Sequence, residues 1–324
     1  MKDKQPLVAV WTMTYNHGPY LRDCLNGIVS QKTEFPFVAI VHDDCSTDDT
    51  ISILKEYAEK YPDIIKPIFE EENQHSKHDG SLDRIKKHAL ETSGAKYIAM
   101  CEGDDYWIDP LKLQKQVDFL ESNPDYTLCY TDLDFFYQKS QTIVKDVFST
   151  RHIPRYKNFE EFLYNQGTLA PCSWLCRYET FVPELKSSAD TTFDIALHNF
   201  TTGKIGYIPV GTCVYRVLEE SASHSSSLHT AFRRQKSVYS IQKHYMEAYP
   251  HLMTNIQRHE TKERVFRFLL PMAWYFNDDD LKEEIHEFYS NSLKHKIIIK
   301  TLDIYLFRNI FKGLLKLYWD IKYN

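Results

Sequence analysis

The stretch AKYIAMCEGDDYWIDPLKL, residues 95–113, decides the fold prediction. It opens with an apolar run, residues 95–101, that has the composition of a short buried strand. Three acidic side chains follow at once, Glu102, Asp104 and Asp105, and a helical pattern begins after Pro110. Carboxylates this close repel one another, so we expect a compensating positive charge beside them.

The same order of strand, polar turn and helix recurs before this stretch. We predict strands over residues 6–13, 37–44 and 64–69, and helices over residues 18–31, 46–61 and 81–93. The polar motifs TYN, DDCSTDDT and EGDD each directly follow a predicted strand. The fold class is therefore α/β, with a Rossmann-like, mostly parallel sheet flanked by helices and ligand sites beyond the carboxyl ends of the strands.

Composition narrows the class of protein. The chain has 324 residues, 43% of them hydrophobic, and a formal net charge of −6, which argues against a nucleic-acid partner. Its seven cysteines show no paired CxxC spacing, so a zinc site is disfavoured and a reduced, cytoplasmic environment is the simplest expectation. The start MKDKQPLVAVWTM is too short and polar for a signal peptide, and no run of 18 apolar residues occurs.

The acidic cluster has two interpretations. Adjacent aspartates at a strand end can hold Mn²⁺ or Mg²⁺ while leaving room for the phosphates of a substrate. Alternatively, Asp104, Asp105 and Asp109 precede the helix at residues 110–123, and acidic side chains are favoured at helix N-termini. The polar motifs at the other strand ends favour the cation site.

Three stretches together resemble the nucleotide-sugar half of the family 2 inverting glycosyltransferases of fold type A. They are VAVWTMTYNHGPYLRDCLNGIVSQ, VHDDCSTDDT and AKYIAMCEGDDYWIDPLKLQKQ, and the similarity spans residues 6–135. The resemblance implies that Asp105 ligates the cation, that Asp104 contacts ribose or diphosphate, and that Glu102 assists. Glu102 stands where the family more often has Asp.

The resemblance also implies a nucleobase pocket. It places Met13 and Tyr15 around the base, and Asp44 where it accepts the uracil ring N–H. Met13 replaces a proline common in the family, so we expect only its backbone to contribute, and Lys86 stands where the family often has Asn. The alternatives are that Tyr15 caps the core and that Asp44 caps a helix.

A later segment, ADTTFDIALHNFTTGKIGYIPVGTCVYR (189–216), resembles the acceptor side of the same family. Inverting transfer needs a general base that removes the acceptor hydroxyl proton. Asp190 matches that position best, Asp194 lies one turn further along the same helix face, and an N-cap role for Asp190 is the third interpretation. Arg216 either steadies the departing diphosphate or forms a surface ion pair.

Near residue 220 the sequence becomes rich in Ser and His and loses its apolar periodicity. We predict a catalytic domain over residues 1–220, divided into a nucleotide-sugar half (1–135) and an acceptor half (136–220), and a loop and helices over 221–324. The loop contains His224, a candidate phosphate contact.

In the last stretch, 297–324, a helical wheel sets one apolar face against Arg308, Lys312 and Lys316. Its apolar residues are Leu306, Phe307, Ile310, Phe311, Leu314, Leu317, Tyr318 and Ile321. This face predicts peripheral contact with the inner surface of the cytoplasmic membrane, or packing on the sheet domain or on a second subunit of a homo-oligomer.

These features predict an inverting, metal-dependent transfer of sugar from a nucleotide-diphospho-sugar, a UDP-sugar in particular, to a glycan or lipid-linked oligosaccharide acceptor in surface polysaccharide biosynthesis. Two other classes are considered. A catalytically silent binding module would lack the acidic side chains that this sequence retains. A nucleotidyltransferase would show a glycine-rich, basic loop after its first strand, and TYNHGPYLRD is neither.

Overall fold

The computed structural model describes residues 5–77, 79–181, 190–218, 227–303 and 312–316. The chain divides into two compact units. We call Met1–Glu219 the sheet unit and Glu220–Asn324 the C-terminal unit. His224 and most of the basic, apolar stretch 297–324 lie outside the described residues.

The nucleotide-sugar half of the sheet unit alternates strands and helices. Strands β1 (Val8–Thr14), β2 (Phe37–Asp43), β3 (Ile65–Phe69) and β4 (Tyr97–Met100) pair in parallel in the order β3-β2-β1-β4. Helices α1 (Gly18–Val29), α2 (Thr50–Lys60) and α3 (Ser81–Ser93) connect them. Because parallel strands present their carboxyl ends at one edge, the three polar motifs converge there.

The rest of the sheet is mixed. Strand β8 (Trp174–Arg177) lies antiparallel between β4 and β6 (Tyr126–Tyr137), and β6 pairs in parallel with β9 (Lys204–Val217). The two-residue strand β5 (Tyr106–Trp107) pairs antiparallel with β9, and β7 (Thr142–Val144) with β6. Helices α4 (Lys112–Ser122), α5 (Phe159–Asn165) and α6 (Thr191–Thr202) complete this half.

The register of β5 positions the acidic turn, which we define as residues 102–105. Tyr106 faces Val214 and Trp107 faces Cys213, so the turn that precedes β5 lies beside the end of β9. On its other side β5 is crossed by α1 at Gly27, where an added Cβ would lie 2.6 Å from the Trp107 carbonyl oxygen. A residue without a side chain at this crossing lets the helix and the strand backbones approach this closely.

Apolar side chains of the sheet strands and of α1 fill the core of the sheet unit. Six of the seven cysteines are buried there as free thiols, and Cys45 is partly exposed. Burial in apolar surroundings accounts for such thiols without a reactive role.

The C-terminal unit is helical where it is described. It contains α7 (Leu228–Ala248), α8 (Asn255–Phe276), α9 (Asp279–Phe288) and α10 (Leu293–Asp303). Its core is built around Phe266, Leu269 and Trp274 of α8, with Ile285 of α9. Among the described residues, no helix has both the length and the apolar character needed to cross a bilayer.

Candidate active site

The acidic turn is largely withdrawn from solvent. Asp105 is 2% exposed, and its Oδ1 accepts the backbone N–H of Arg216 at 2.9 Å. The Gly103 N–H donates to the Met13 carbonyl at 2.9 Å, which joins the turn to the end of β1. The backbone of Met13 thus holds the turn, and its contact with a base remains a prediction.

The electrostatics of the turn suit a divalent cation. Burial and the neighbouring Asp104 carboxylate raise the pKa of Asp105 well above its usual range, and the same two causes raise the pKa of Glu102 to about 7. Buried carboxylates are stabilised in their charged form by an opposite charge, so Mn²⁺ or Mg²⁺ suits this turn.

The protein alone supplies few ligands for such a cation. Within the described ranges, no three His, Cys, Asp or Glu side chains converge on a metal position. Magnesium-type sites commonly use one or two carboxylates and complete their shell with water and substrate phosphates. The residues present fit a cation bound together with a nucleotide diphosphate, held by Asp105 with Asp104 or Glu102.

None of the three aspartates caps helix α4, whose N-cap residue is Leu111. Helix α4 begins at Lys112, and strand β5 separates it from Asp104 and Asp105. Asp109 instead accepts the Leu111 N–H at 2.9 Å and pairs with Lys115. The two adjacent aspartates are therefore not helix-terminal residues.

Arg216 is the positive charge beside the turn. It is 5% exposed and forms an ion pair with Asp23, whose own side chain is 57% exposed. Its Nε donates to the Asp104 carbonyl at 2.8 Å, Nη1 to Gln138 Oε1 at 2.8 Å and Nη2 to Asp23 Oδ2 at 2.9 Å. The guanidinium carbon also lies 4.9–5.3 Å from the centroids of three rings, those of Tyr20, Tyr106 and Phe136.

The loops after β1 and β2 are bonded to each other. The Asn16 N–H donates to Ser46 Oγ at 2.9 Å, and Asn16 Oδ1 accepts the Thr47 N–H at 2.8 Å. Asp48 Oδ2 accepts the Gly18 N–H at 2.9 Å, at the start of α1. These bonds hold the two predicted base-pocket loops as one rigid edge.

Tyr15 and Asp44 have different environments in this edge. Tyr15 is 45% exposed, so it does not cap the core and its ring is available for stacking. Asp44 is 1% exposed, and its carboxylate accepts the N–H groups of Gln74 (2.7 Å) and His75 (3.0 Å). Asp44 thus anchors the loop after β3 and caps no helix of the β2–α2 connection; its contact with a base remains a prediction.

Two buried polar atoms face the acidic turn without a hydrogen-bond partner. They are Thr14 Oγ1 and His17 Nδ1. A Cβ added at Gly103 would lie 3.0 Å from the first and 2.7 Å from the second, so glycine is required at this contact. Lys86 of α3 contributes a further positive charge, which partly offsets the rise in the pKa of Glu102.

Asp190 and Asp194 belong to α6. Asp190 Oδ1 caps the helix by accepting the Phe193 N–H at 3.2 Å, and it also accepts the Thr192 hydroxyl at 3.0 Å. Asp194 is fully buried, one turn further on. These bonds within α6 do not bring Asp190 to the acidic turn, so its role as the base stays a prediction.

Sequence reasoning missed the partners of Arg216. Asp23 lies 193 positions away on α1, inside the first of the family-like stretches, but nothing in that stretch or around Gln138 links either residue to Arg216. The one indication in the sequence was the unbalanced negative charge of the acidic turn, which predicts that a positively charged group lies beside it.

The sequence matches the glycosyl transferase family 2 over residues 10–181, more than half of the chain. The chain belongs to this family. The predicted family and fold class are thereby confirmed, and the match covers the edge loops, the acidic turn and β8.

Similar proteins agree with this assignment. The family 2 chain is 39% identical over 131 residues to the uncharacterized protein Rv1520 of Mycobacterium tuberculosis, which is 40% of this chain and 36% of that protein. It therefore spans about a third of the length of such curated relatives.

Solved structures share the fold. TarS 1–349 of Staphylococcus aureus in complex with UDP-GlcNAc superposes with a TM-score of 0.57 at 16% identity, covering 83% of this chain and 75% of that one. The mannosyltransferase PcManGT of Pyrobaculum calidifontis with GDP-Man and Mn²⁺ gives 0.51 at 18% identity, covering 82% and 76%. At these identities the likeness establishes the fold alone.

Proposed function

We propose that this family 2 chain is an inverting, metal-dependent glycosyltransferase that moves a sugar from a UDP-sugar to a glycan or lipid-linked acceptor during surface polysaccharide assembly. The observation that carries the proposal is the buried acidic turn at the carboxyl end of β4, next to the loop that presents Tyr15. Such an edge is where α/β folds bind nucleotides.

The roles follow from this placement. Asp105, with Asp104 or Glu102, would hold Mn²⁺ or Mg²⁺, and a bound cation supplies charge neutralisation for the departing diphosphate. Tyr15 would stack on the base and Asp44 would accept its ring N–H. Asp190 would take the proton of the acceptor hydroxyl as the oxygen attacks the anomeric carbon from the face opposite the diphosphate, which inverts that centre.

The similar proteins support this donor class and acceptor class. TarS carries the name poly(ribitol-phosphate) beta-N-acetylglucosaminyltransferase and was solved with UDP-GlcNAc, and PcManGT with GDP-Man. We favour UDP because the resemblance places Asp44 at the position that accepts a uracil N–H. A silent binding module would not need the carboxylates of Asp105 and Asp190, which this sequence retains.

Contact with an anionic membrane surface at the cytoplasmic face is part of the proposal. Within α10, Leu293 (75%), Ile297 (58%) and Ile298 (37%) are exposed. Lys294, Lys296 and Lys300 are exposed on the same helix, and residues 293–324 contain seven Lys or Arg against two Asp. Exposed aliphatic side chains among lysines suit the interface of an anionic bilayer.

The test is a panel of UDP- and GDP-sugars in a thermal-shift assay, with Mn²⁺ and with chelator. A ligand that binds the native state raises its stability by mass action, so the true donor should raise the melting temperature only when metal is present. Asp105→Asn should lose that shift. No shift with any nucleotide sugar in the wild-type protein would refute the proposed function.

A further inference from the structure

We infer that Arg216 is the positioning residue of the acidic turn. It holds the turn in place while Asp23 anchors its guanidinium, and it does not bind the diphosphate. The inference rests on the proposed function, because that function gives the acidic turn its role as a cation site. The contacts of Arg216 do not depend on any ligand.

The first argument is that every guanidinium nitrogen of Arg216 already makes a hydrogen bond within the protein. Each of its three guanidinium nitrogens donates to a protein oxygen, namely the Asp104 carbonyl, Gln138 Oε1 and Asp23 Oδ2. A guanidinium that binds phosphate presents its N–H groups outward as a fork. Here Nε fixes the backbone of the turn, and Nη1 and Nη2 each donate one N–H to a side chain of a neighbouring segment.

The second argument is that Arg216 contacts both aspartates of the turn in different ways. Its backbone N–H holds the Asp105 carboxylate at 2.9 Å, and its side chain holds the Asp104 carbonyl at 2.8 Å. These two bonds set where the Asp105 carboxylate points and how the backbone of Asp104 is turned. A cation site tolerates little displacement of its ligands, so this restraint matters for metal binding.

The third argument concerns the elements that Arg216 joins. Asp23 and Tyr20 lie on α1, Gln138 directly follows β6, and Tyr106 begins β5. Arg216 itself lies on β9, in the predicted acceptor half. The arginine therefore ties the helix that follows the Tyr15 loop to the acidic turn.

Arg216→Lys is the variant to test, because it keeps the charge but cannot reach the three acceptors at once. Arg177→Lys is a matched control. Arg177 also donates to backbone carbonyls, those of Tyr126 (2.9 Å) and Leu120 (2.7 Å), and lies over the Tyr97 ring, and these bonds do not involve the acidic turn.

The ligand-free measurement is amide hydrogen exchange. The N–H groups of Gly103, Asp105 and Ile108 are hydrogen bonded in the folded protein. Arg216→Lys should speed their exchange about tenfold or more, whereas Arg177→Lys should leave them unchanged relative to the rest of the unit. Unchanged exchange at these amides in Arg216→Lys would overturn the inference.

The second measurement is a Mn²⁺ titration at saturating UDP. Positioning predicts that Arg216→Lys raises the Mn²⁺ concentration at half-saturation about tenfold, and that Asp23→Ala moves it in the same direction. If Arg216 binds phosphate instead, UDP affinity should fall equally with and without Mn²⁺, which contradicts positioning. If wild-type protein binds no UDP, the proposed donor fails while the exchange experiment still decides the role of Arg216.

Discussion

Gly27→Ala tests the packing that fixes the acidic turn. The added Cβ would lie 2.6 Å from the Trp107 carbonyl oxygen, 2.8 Å from its nitrogen and 3.2 Å from its Cα. Ordinary contact begins near 3.4 Å, so α1 and β5 would have to separate by roughly 0.8 Å. All three atoms belong to backbone, and no side-chain rotation can relieve the clash.

The expected magnitude is the difference between two effects. Overpacking of a core costs up to about 3 kcal/mol, whereas alanine in place of a helical glycine contributes about 1 kcal/mol of stabilisation. The net loss is about 2 kcal/mol, which corresponds to a melting temperature about 4–8 °C lower for a unit of this size. Trp107 is two residues from Asp105, so the Mn²⁺-dependent shift with nucleotide should weaken as well.

The assay is thermal and urea unfolding followed by circular dichroism. Gly313→Ala is the control, because that glycine lies in the helical stretch 312–316 and no atom of the described residues comes within 4 Å of an added Cβ. It should be neutral or slightly stabilising. If Gly27→Ala melts at the wild-type temperature, the close approach of α1 to β5 does not restrain the acidic turn as argued.

Three further predictions concern the proposed chemistry and location. Asp105→Asn should abolish turnover and erase Mn²⁺-dependent stabilisation by UDP; full activity in excess chelator would contradict the metal assignment. Asp190→Asn should leave donor binding nearly intact and reduce turnover by roughly two to four orders of magnitude. A severe effect of Asp194→Asn with a mild one of Asp190→Asn would move the base one helical turn. Charge reversal at Arg308, Lys312 and Lys316 should leave UDP binding intact but weaken co-sedimentation with anionic vesicles, since each surface cation contributes on the order of 1 kcal/mol near an anionic leaflet; absence of vesicle binding by the intact chain at low salt would refute membrane contact.

The first half of the fold could be predicted from sequence because its signals are local. Predicted strands at 6–13, 37–44 and 64–69 correspond to β1, β2 and β3, and the helix at 81–93 has the same bounds as α3. Each of these strands is an apolar run in the sequence, and polar residues follow it.

Other features depended on distant contacts. The two-residue strand β5 exists only through its pairing with β9, more than a hundred residues later, and no local pattern marks it. The helix predicted from residue 46 begins at Thr50 as α2, and the Ser46 hydroxyl donates to Asp43 while accepting from Asn16. The loop after β1 competes for the serine, and the sequence alone does not show that competition.

The candidate site divides in the same way. The acidic turn and Tyr15 could be identified from their motifs, and the structure gives Tyr15 the exposure that stacking needs. The burial of Asp44 under the loop after β3, and the bonds of Arg216 to α1, are tertiary effects. Neither contact can be predicted from a motif alone.

The cysteine thiols allow opening of the sheet unit to be measured without an added label. All seven thiols belong to the sheet unit, six of them are buried, and the sequence of residues 220–324 contains none. A thiol reagent added to the native protein should modify Cys45 first and reach the others only when the sheet unit opens. The rate of the later reaction therefore measures the opening of the unit that carries the acidic turn, and residues 220–324 add no thiol of their own to that signal.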